Sequence, residues 1–267
     1  MNILHALLFG LTEGVTEFLP VSANAHIIIL GSLLKDNPEL TRSFGVALQG
    51  APALAVLFLY WNRFEALFRP GRTGLDQGTG FQGARAWQLM ALVTVPVLVC
   101  GLLFKKYFYS QMLGPLPSVA GLALGGAAIL GVEFRPKVVT SASVDAVTLL
   151  QALGVGLFQC LALWPGVSRS GATIIGALLL GLNRKTAAEF SFLAGVPVLL
   201  AASLLELHKS EAVRAFPLAF GLAFATAFVL ALLSVSQFMR LLSRISFKPF
   251  GWYRLALSPL LWFFFQS

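Results

Sequence analysis

Two long apolar stretches of this chain, Asn2 to Leu34 and Val144 to Leu182, are each cut near the middle by proline and polar residues, at Pro20 to Asn24 and at Pro165 to Ser170. No other feature limits the possible folds as much. In hydrocarbon every backbone N–H and C=O needs a partner within the protein, so a spanning segment must be a helix or part of a closed barrel. An apolar run interrupted by helix-stopping residues becomes two shorter helices. Each stretch is therefore expected to enter the membrane and return, as a re-entrant helical hairpin.

The rest of the chain fits that setting. It is 57% apolar and 11% charged over 267 residues, with a mean hydropathy of +0.82, whereas roughly a quarter of an ordinary soluble chain is charged. Six further stretches, near Arg42 to Trp61, Arg85 to Phe104, Pro117 to Glu133, Lys185 to Leu207, Phe216 to Met239 and Gly251 to Phe265, are apolar enough to cross roughly 30 Å of hydrocarbon. The expected fold is an all-α polytopic membrane protein of six transmembrane helices and two re-entrant hairpins. The net charge of +8 suits basic loops on an anionic leaflet, and no Lys and Arg cluster with interleaved aromatics points to nucleic acid. Cys100 and Cys160 sit in apolar runs without spaced ligands and read as packing residues, with no disulfide or zinc site. Ile3 to Leu11 has neither a basic flank nor a small-residue cleavage site, so a signal peptide is not expected.

The two breaks also align with each other. At an offset of 145 residues Pro20 pairs with Pro165, Gly31 with Gly176, Thr41 with Thr186, Gly50 with Gly195 and Pro52 with Pro197, and five leucines meet leucines. Residues 1–267 thus read as one membrane domain of two repeats, about 1–133 and 144–267, each a hairpin followed by three spans. Three crossings per repeat invert the second copy, a plan in which broken helices meet near the midplane. Under this topology one side collects twelve basic residues, Arg63, Arg69, Arg72, Arg85, Arg135, Lys137, Arg184, Lys185, Arg240, Arg244, Lys248 and Arg254. The other side has six, Lys35, Arg42, Lys105, Lys106, Lys209 and Arg214, so the first is read as cytoplasmic. The loop Asn62 to Ala84, with its Gly-rich Pro70 to Gly83 section, is assigned no chemistry.

Chemistry concentrates at the breaks. Ser168, Arg169 and Ser170 fall at the start of the helix that follows Pro165-Gly166, where free N–H groups, the helix dipole, hydroxyls and a guanidinium suit a phosphate. In the first hairpin Glu13 and Glu17 are spaced i, i+4, so a helix stacks two carboxylates that can share a proton or hold a divalent cation. His26 opens the next half-helix as a candidate acid, base or nucleophile.

Glu13-Gly-Val-Thr-Glu-Phe-Leu-Pro-Val-Ser22 with His26, Phe158-Gln-Cys-Leu-Ala-Leu-Trp-Pro-Gly-Val-Ser-Arg-Ser-Gly-Ala-Thr-Ile174, Glu189-Phe-Ser-Phe-Leu193 and Arg244-Ile-Ser-Phe-Lys-Pro-Phe250 closely resemble the bacterial undecaprenyl pyrophosphate phosphatase family linked to bacitracin resistance. The resemblance runs the whole length. It implies a multi-pass hydrolase of the bacterial inner membrane, opening to the periplasmic side, which removes the terminal phosphate of a polyprenyl pyrophosphate lipid with a divalent cation, Mg2+ or Ca2+. Glu13, Glu17, His26 and Arg169 are the catalytic candidates, Ser168, Arg169, Ser170 and Thr173 the phosphate-binding ones, and Glu13 and Glu17 the metal ligands. Ala23 stands where relatives usually have a serine sometimes proposed as nucleophile, which excludes that mechanism here. Gln49-Gly50-Ala51-Pro52 replaces the family's Gln-Leu-Gly-Ser. A non-hydrolytic transporter or flippase of a lipid phosphate or other anion is the alternative on the same fold, and a homodimer is compatible with the sequence.

Overall fold

The computed structural model describes residues 2–69, 80–104, 115–135, 138–242 and 244–266. The Gly-rich loop section as far as residue 79 lies outside the described residues, as do Arg72, Lys105, Lys106 and Lys137 of the charge count. The helices run in the order α1 (Ile3–Thr16), α2 (Ala23–Leu33), α3 (Pro38–Leu48), α4 (Gly50–Leu59), α5 (Trp61–Glu65), α6 (Gly83–Leu103), α7 (Pro115–Glu133), α8 (Leu149–Cys160), α9 (Arg169–Leu179), α10 (Arg184–Lys209), α11 (Glu211–Arg214), α12 (Pro217–Leu241) and α13 (Lys248–Gln266). Among the described residues extended pairing is confined to an isolated bridge between Ser141 and Leu182.

Five segments, Pro38–Leu59, Gly83–Leu103, Leu116–Glu133, Arg184–Lys209 and Pro217–Leu241, are long and apolar enough to cross a membrane, which makes the chain a multi-pass membrane protein. The first of these bends at Gln49, where α3 gives way to α4. Pro52 has no N–H to offer Leu48, and the neighbouring carbonyl of Ala47 accepts the Ser203 hydroxyl at 2.6 Å. The chain also stops where the sequence says it should: α1 ends at Thr16 and α2 starts at Ala23, while α8 ends at Cys160 and α9 starts at Arg169. Asn37 and Asn183 cap α3 and α10 through their side chains, and Thr148 and Gln151 form a reciprocal capping box at the start of α8.

Because lipid tails are as apolar as leucine, helices in a membrane associate through close contact of small residues more than by burying large ones. The seam between α1 and α12 is built that way. Ala219, Ala223, Ala227 and Ala231 recur every fourth residue and are all buried, and they face Gly10 and Gly14. A Cβ on Gly14 would come within 2.5 Å of the Ala227 carbonyl oxygen. Aromatic residues fill the wider space where the helices diverge, with Phe18, Phe190, Phe192, Phe238 and Phe247 in one buried cluster.

The structure corrects one placement. Arg254, counted above as a loop charge, is completely buried on α13. Its guanidinium donates to the carbonyls of Leu122 (3.2 Å) and Gly121 (2.9 Å) on α7, to Pro20 (3.2 Å) in the first break, and to Gly166 (2.9 Å) and Val167 (3.0 Å) in the second. Gly125 makes room, since a Cβ there would overlap the Arg254 Nη2 atom, and Gly166 takes φ +86°, with Ser118 O where a Cβ would sit. Without Arg254 the charge asymmetry stands at eleven to six.

Loops at one end of the bundle are tied by ion pairs. Arg63 contacts Asp145 (2.9 Å) and Glu189 (3.1 Å), and Arg184 contacts Glu133. Partial burial pushes the Asp145 carboxyl up, but the Phe81 N–H at 2.9 Å and the Arg63 guanidinium outweigh it, so the group sits below the ordinary carboxylate range.

Two measurements follow from these contacts. Arg254→Met should lower the unfolding midpoint in detergent sharply, because each buried carbonyl left unpartnered costs about 1–3 kcal/mol. Arg254→Lys should recover only part, since one ammonium cannot reach the carbonyls that a planar fork serves. Asp145, with its depressed pKa, contributes stability that is complete above the unfolded value of about 3.9 and disappears as pH falls through its lower folded value. Asp145→Asn should remove that acid-dependent component from a midpoint-against-pH series.

Candidate active site

The two breaks bring their polar residues to one place. Ser168 and Ser22, the residues before α9 and α2, both adopt φ +75°, a left-handed conformation that non-glycine residues seldom hold. Ser168 Oγ accepts the Gly171 N–H at 3.1 Å, so the turn is capped and Arg169 becomes the first residue of α9.

Arg169 projects towards α1. Its Nη2 donates to Glu17 Oε1 at 3.0 Å, its Nη1 donates to the Ser191 carbonyl at 3.0 Å, and its Cζ lies 4.8 Å from the centre of the Phe18 ring. A Cβ on Gly195 would collide with the same guanidinium. The two charged side chains are only 10% and 6% exposed, so their attraction acts in a low-dielectric surrounding. Arg169 Nε is buried without an acceptor among the described residues.

Ser170 and Thr173 are fully buried one turn further on. Ser170 Oγ lies 2.9 Å from the Leu19 carbonyl and 3.1 Å from Ser168 Oγ, joining the second break to the first. Thr173 Oγ1 lies 2.9 Å from the Arg169 carbonyl and 2.6 Å from Ser191 Oγ. Glu13 is fully buried one turn before Glu17, and among the described residues no N–H donor reaches its carboxylate oxygens, which face the carboxylate of Glu17. Its charged neighbours are Glu17 and Arg169. An isolated carboxylate in such a place is costly, and a cation or a shared proton would relieve it.

The carboxylates fit a divalent cation in that respect, and only as part of a ligand set. Among the described residues no group of three His, Cys, Asp or Glu could hold a metal. Mg2+ is commonly held by one or two carboxylates together with phosphate oxygens and water, a role that Glu13 and Glu17 could fill.

His26 stands apart from this cluster. No described hydrogen bond or ion pair joins it to Glu13, Glu17 or Arg169. Its Nδ1 is 2.8 Å from the Ser22 carbonyl and its Nε2 is 2.7 Å from the Tyr253 hydroxyl. A carbonyl only accepts, so Nδ1 carries the proton, and in the neutral ring the Nε2 lone pair faces the Tyr253 O–H. Of the residues that sequence reasoning proposed for the site, the structure brings Glu13, Glu17, Ser168, Arg169, Ser170 and Thr173 together as neighbours. It missed Phe18, Ser191, Gly195, Tyr253 and Arg254. Arg254 was the most detectable of these, as a charge seven residues into the apolar stretch of α13.

The family model described as bacitracin resistance protein BacA matches residues 6–260. Proteins named undecaprenyl-diphosphatase from Oleidesulfovibrio alaskensis and Maridesulfovibrio salexigens are 45% and 41% identical, each match covering 99% of both chains. One from Nitratidesulfovibrio vulgaris strain DP4 is 42% identical over 98% of both. A match that runs through both breaks, the buried Arg169–Glu17 pair and the Arg254 helix shows that this chain belongs to the bacitracin resistance protein BacA family.

Proposed function

We propose that the chain is an undecaprenyl-diphosphatase, hydrolysing undecaprenyl or a shorter polyprenyl pyrophosphate to the monophosphate and phosphate, and thereby recycling a lipid carrier of cell-envelope synthesis. The end-to-end identity with relatives of that name carries the reading. The meeting of carboxylates and a guanidinium within a membrane bundle supports it, since charged groups are rarely kept in hydrocarbon without a use.

In this reading Arg169 and the first N–H groups of α9 receive the terminal phosphate, which competes with Glu17 for the guanidinium, and offset charge that develops in the transition state. Ser168, Ser170 and Thr173 complete the anion site, the last two with hydroxyls that also tie the turn to Leu19 and Ser191. Glu13 and Glu17 would hold Mg2+ or Ca2+, which when bound neutralises phosphoryl oxygens and polarises their bonds. His26 offers its Nε2 lone pair, either to phosphorus or to the proton of an attacking water. The isoprenyl tail lies along apolar helix faces.

The same reading makes residues 1–267 one membrane domain of inverted repeats, 1–133 and 144–267, with six crossings and re-entrant hairpins at α1–α2 and α8–α9. It sets them in the bacterial inner membrane with the site open to the periplasm. Supporting it, α2 and α9 each run 11 residues after a serine at φ +75°, and the next helix in each half starts at an asparagine cap.

Purified protein given a C15 or C55 pyrophosphate should release phosphate and stop when a chelator is added. Arg169→Ala should lower kcat/KM by about 100-fold or more, as loss of a charge-stabilising donor does. Unchanged turnover in that variant would remove Arg169 from the site, and lipid movement across liposomes without phosphate release would replace hydrolysis with transport. Ala23, buried beside Ser22, separates two mechanisms. Attack by a hydroxyl at that position would leave the wild type inactive and let Ala23→Ser switch it on; with His26 or water as nucleophile, the wild type works and Ala23→Ser stays within about threefold of it.

A further inference from the structure

We infer that Tyr253 is a positioning residue of the hydrolysis, acting on the substrate through His26, and that α13 is the element that refers this histidine to both helix breaks. The inference rests on the proposed use of His26 in that reaction. Three observations carry it. The Tyr253 hydroxyl is 2.7 Å from His26 Nε2, and the two rings are nearly parallel, with an interplanar angle of 8° and centroids 5.8 Å apart. The opposite nitrogen is held by the Ser22 carbonyl at 2.8 Å, so the imidazole is gripped at both ends and only one neutral tautomer satisfies both partners. The next residue along, Arg254, is bonded to the carbonyls of Pro20, Gly166 and Val167.

Consecutive residues of one helix thus hold the two turns and the ring between them. Ser22, which holds Nδ1, belongs to the first of those turns, so the ring is located from α13 and from the break that α13 itself fixes. Tyr253 is 44% exposed, whereas Arg254 is fully buried. The phenol can therefore swing off Nε2 when a phosphate arrives, while the helix that carries it stays anchored. Until then it keeps the lone pair aimed, while the Ser22 carbonyl keeps the proton on Nδ1. A ring freed at Nε2 would keep that tautomer but lose the partner that fixes its angle, and small errors of placement are expensive in rate.

The test is Tyr253→Phe, a change that keeps the ring and leaves no cavity at so exposed a position, measured beside His26→Ala in the whole protein with a C15 pyrophosphate. Loss of positioning predicts a fall of about 10- to 100-fold in kcat with KM held within about twofold. In 15N-histidine-labelled protein, with the His26 signal assigned by its absence from His26→Ala, the wild type should show an Nδ1–H tautomer whose Nε2 accepts a hydrogen bond, and Tyr253→Phe the same tautomer with its Nε2 resonance moved to that of an unbonded ring nitrogen. A kcat equal to or above that of the wild type would overturn the inference, as would a change confined to KM or an unmoved Nε2 resonance. His26→Ala separates the two layers. Loss of turnover there with normal Tyr253→Phe kinetics removes only Tyr253, whereas near-normal turnover in His26→Ala removes the histidine from the reaction and this inference with it.

Discussion

A helix broken inside a membrane leaves carbonyls that neither water nor the next turn can satisfy, and this chain breaks two helices at nearly the same place. The planar fork of Arg254 is what makes that arrangement tenable. It gathers carbonyls from both breaks and from α7 into a single hydrogen-bond centre, and the glycines of α7 exist in that pattern because any side chain at Gly125 would occupy the guanidinium's place. A cation surrounded only by carbonyl dipoles suits a group that stays ionised at every physiological pH, which is why arginine can serve and a titrating amine would be a poor substitute.

The packing of α1 carries the same logic into the site. Glu13 lies between Gly10 and Gly14 on one side and the paired carboxylate Glu17 on the other, on a helix whose backbone touches that of α12. A seam so close gives α1 little freedom to turn about its axis, so the carboxylates stay where the i, i+4 spacing aims them. Phe18, immediately after Glu17, then packs its face under Arg169 and its edge against Phe192 of α10. The ion pair across the two breaks is therefore placed by backbone contact and aromatic packing, with its own attraction acting between groups already in position.

Much of this was legible in the residues. Helix breaks announce themselves through proline, glycine and polar residues in apolar runs, so both turns and the site residues around them could be located before any coordinates were known. The carboxylate pair could be read because helical spacing fixes its geometry locally. What escaped was the work of residues whose partners are far away in the chain. Arg254 resembles a charge at a membrane face when only its neighbours are considered, and it sits between a basic loop and an apolar run. Its partners at Pro20, Gly121 and Gly166 lie more than eighty residues distant. Tyr253 carries no local signal for the same reason, since its partner His26 lies in the first hairpin. Ser191 was visible within a motif, but nothing in the sequence says that its carbonyl holds the arginine while its hydroxyl meets Thr173.

The resting partners of Arg169 set a condition on any phosphate that enters. Glu17 occupies one edge of the fork and the Ser191 carbonyl another, while Nε has no acceptor among the described residues. An incoming phosphate can bind Nε without displacing anything, but to engage Nη2 it must turn Glu17 aside, leaving two buried carboxylates facing each other and a dianionic group beside them. That excess negative charge is unsupportable in a low-dielectric site unless a cation arrives with the phosphate or a proton is taken up. On the proposed reading the Glu13 oxygens, which face the Glu17 carboxylate and meet no N–H donor among the described residues, would be half of an exchange whose other half enters with the phosphate, and the Glu17–Arg169 pair would stay balanced until it does.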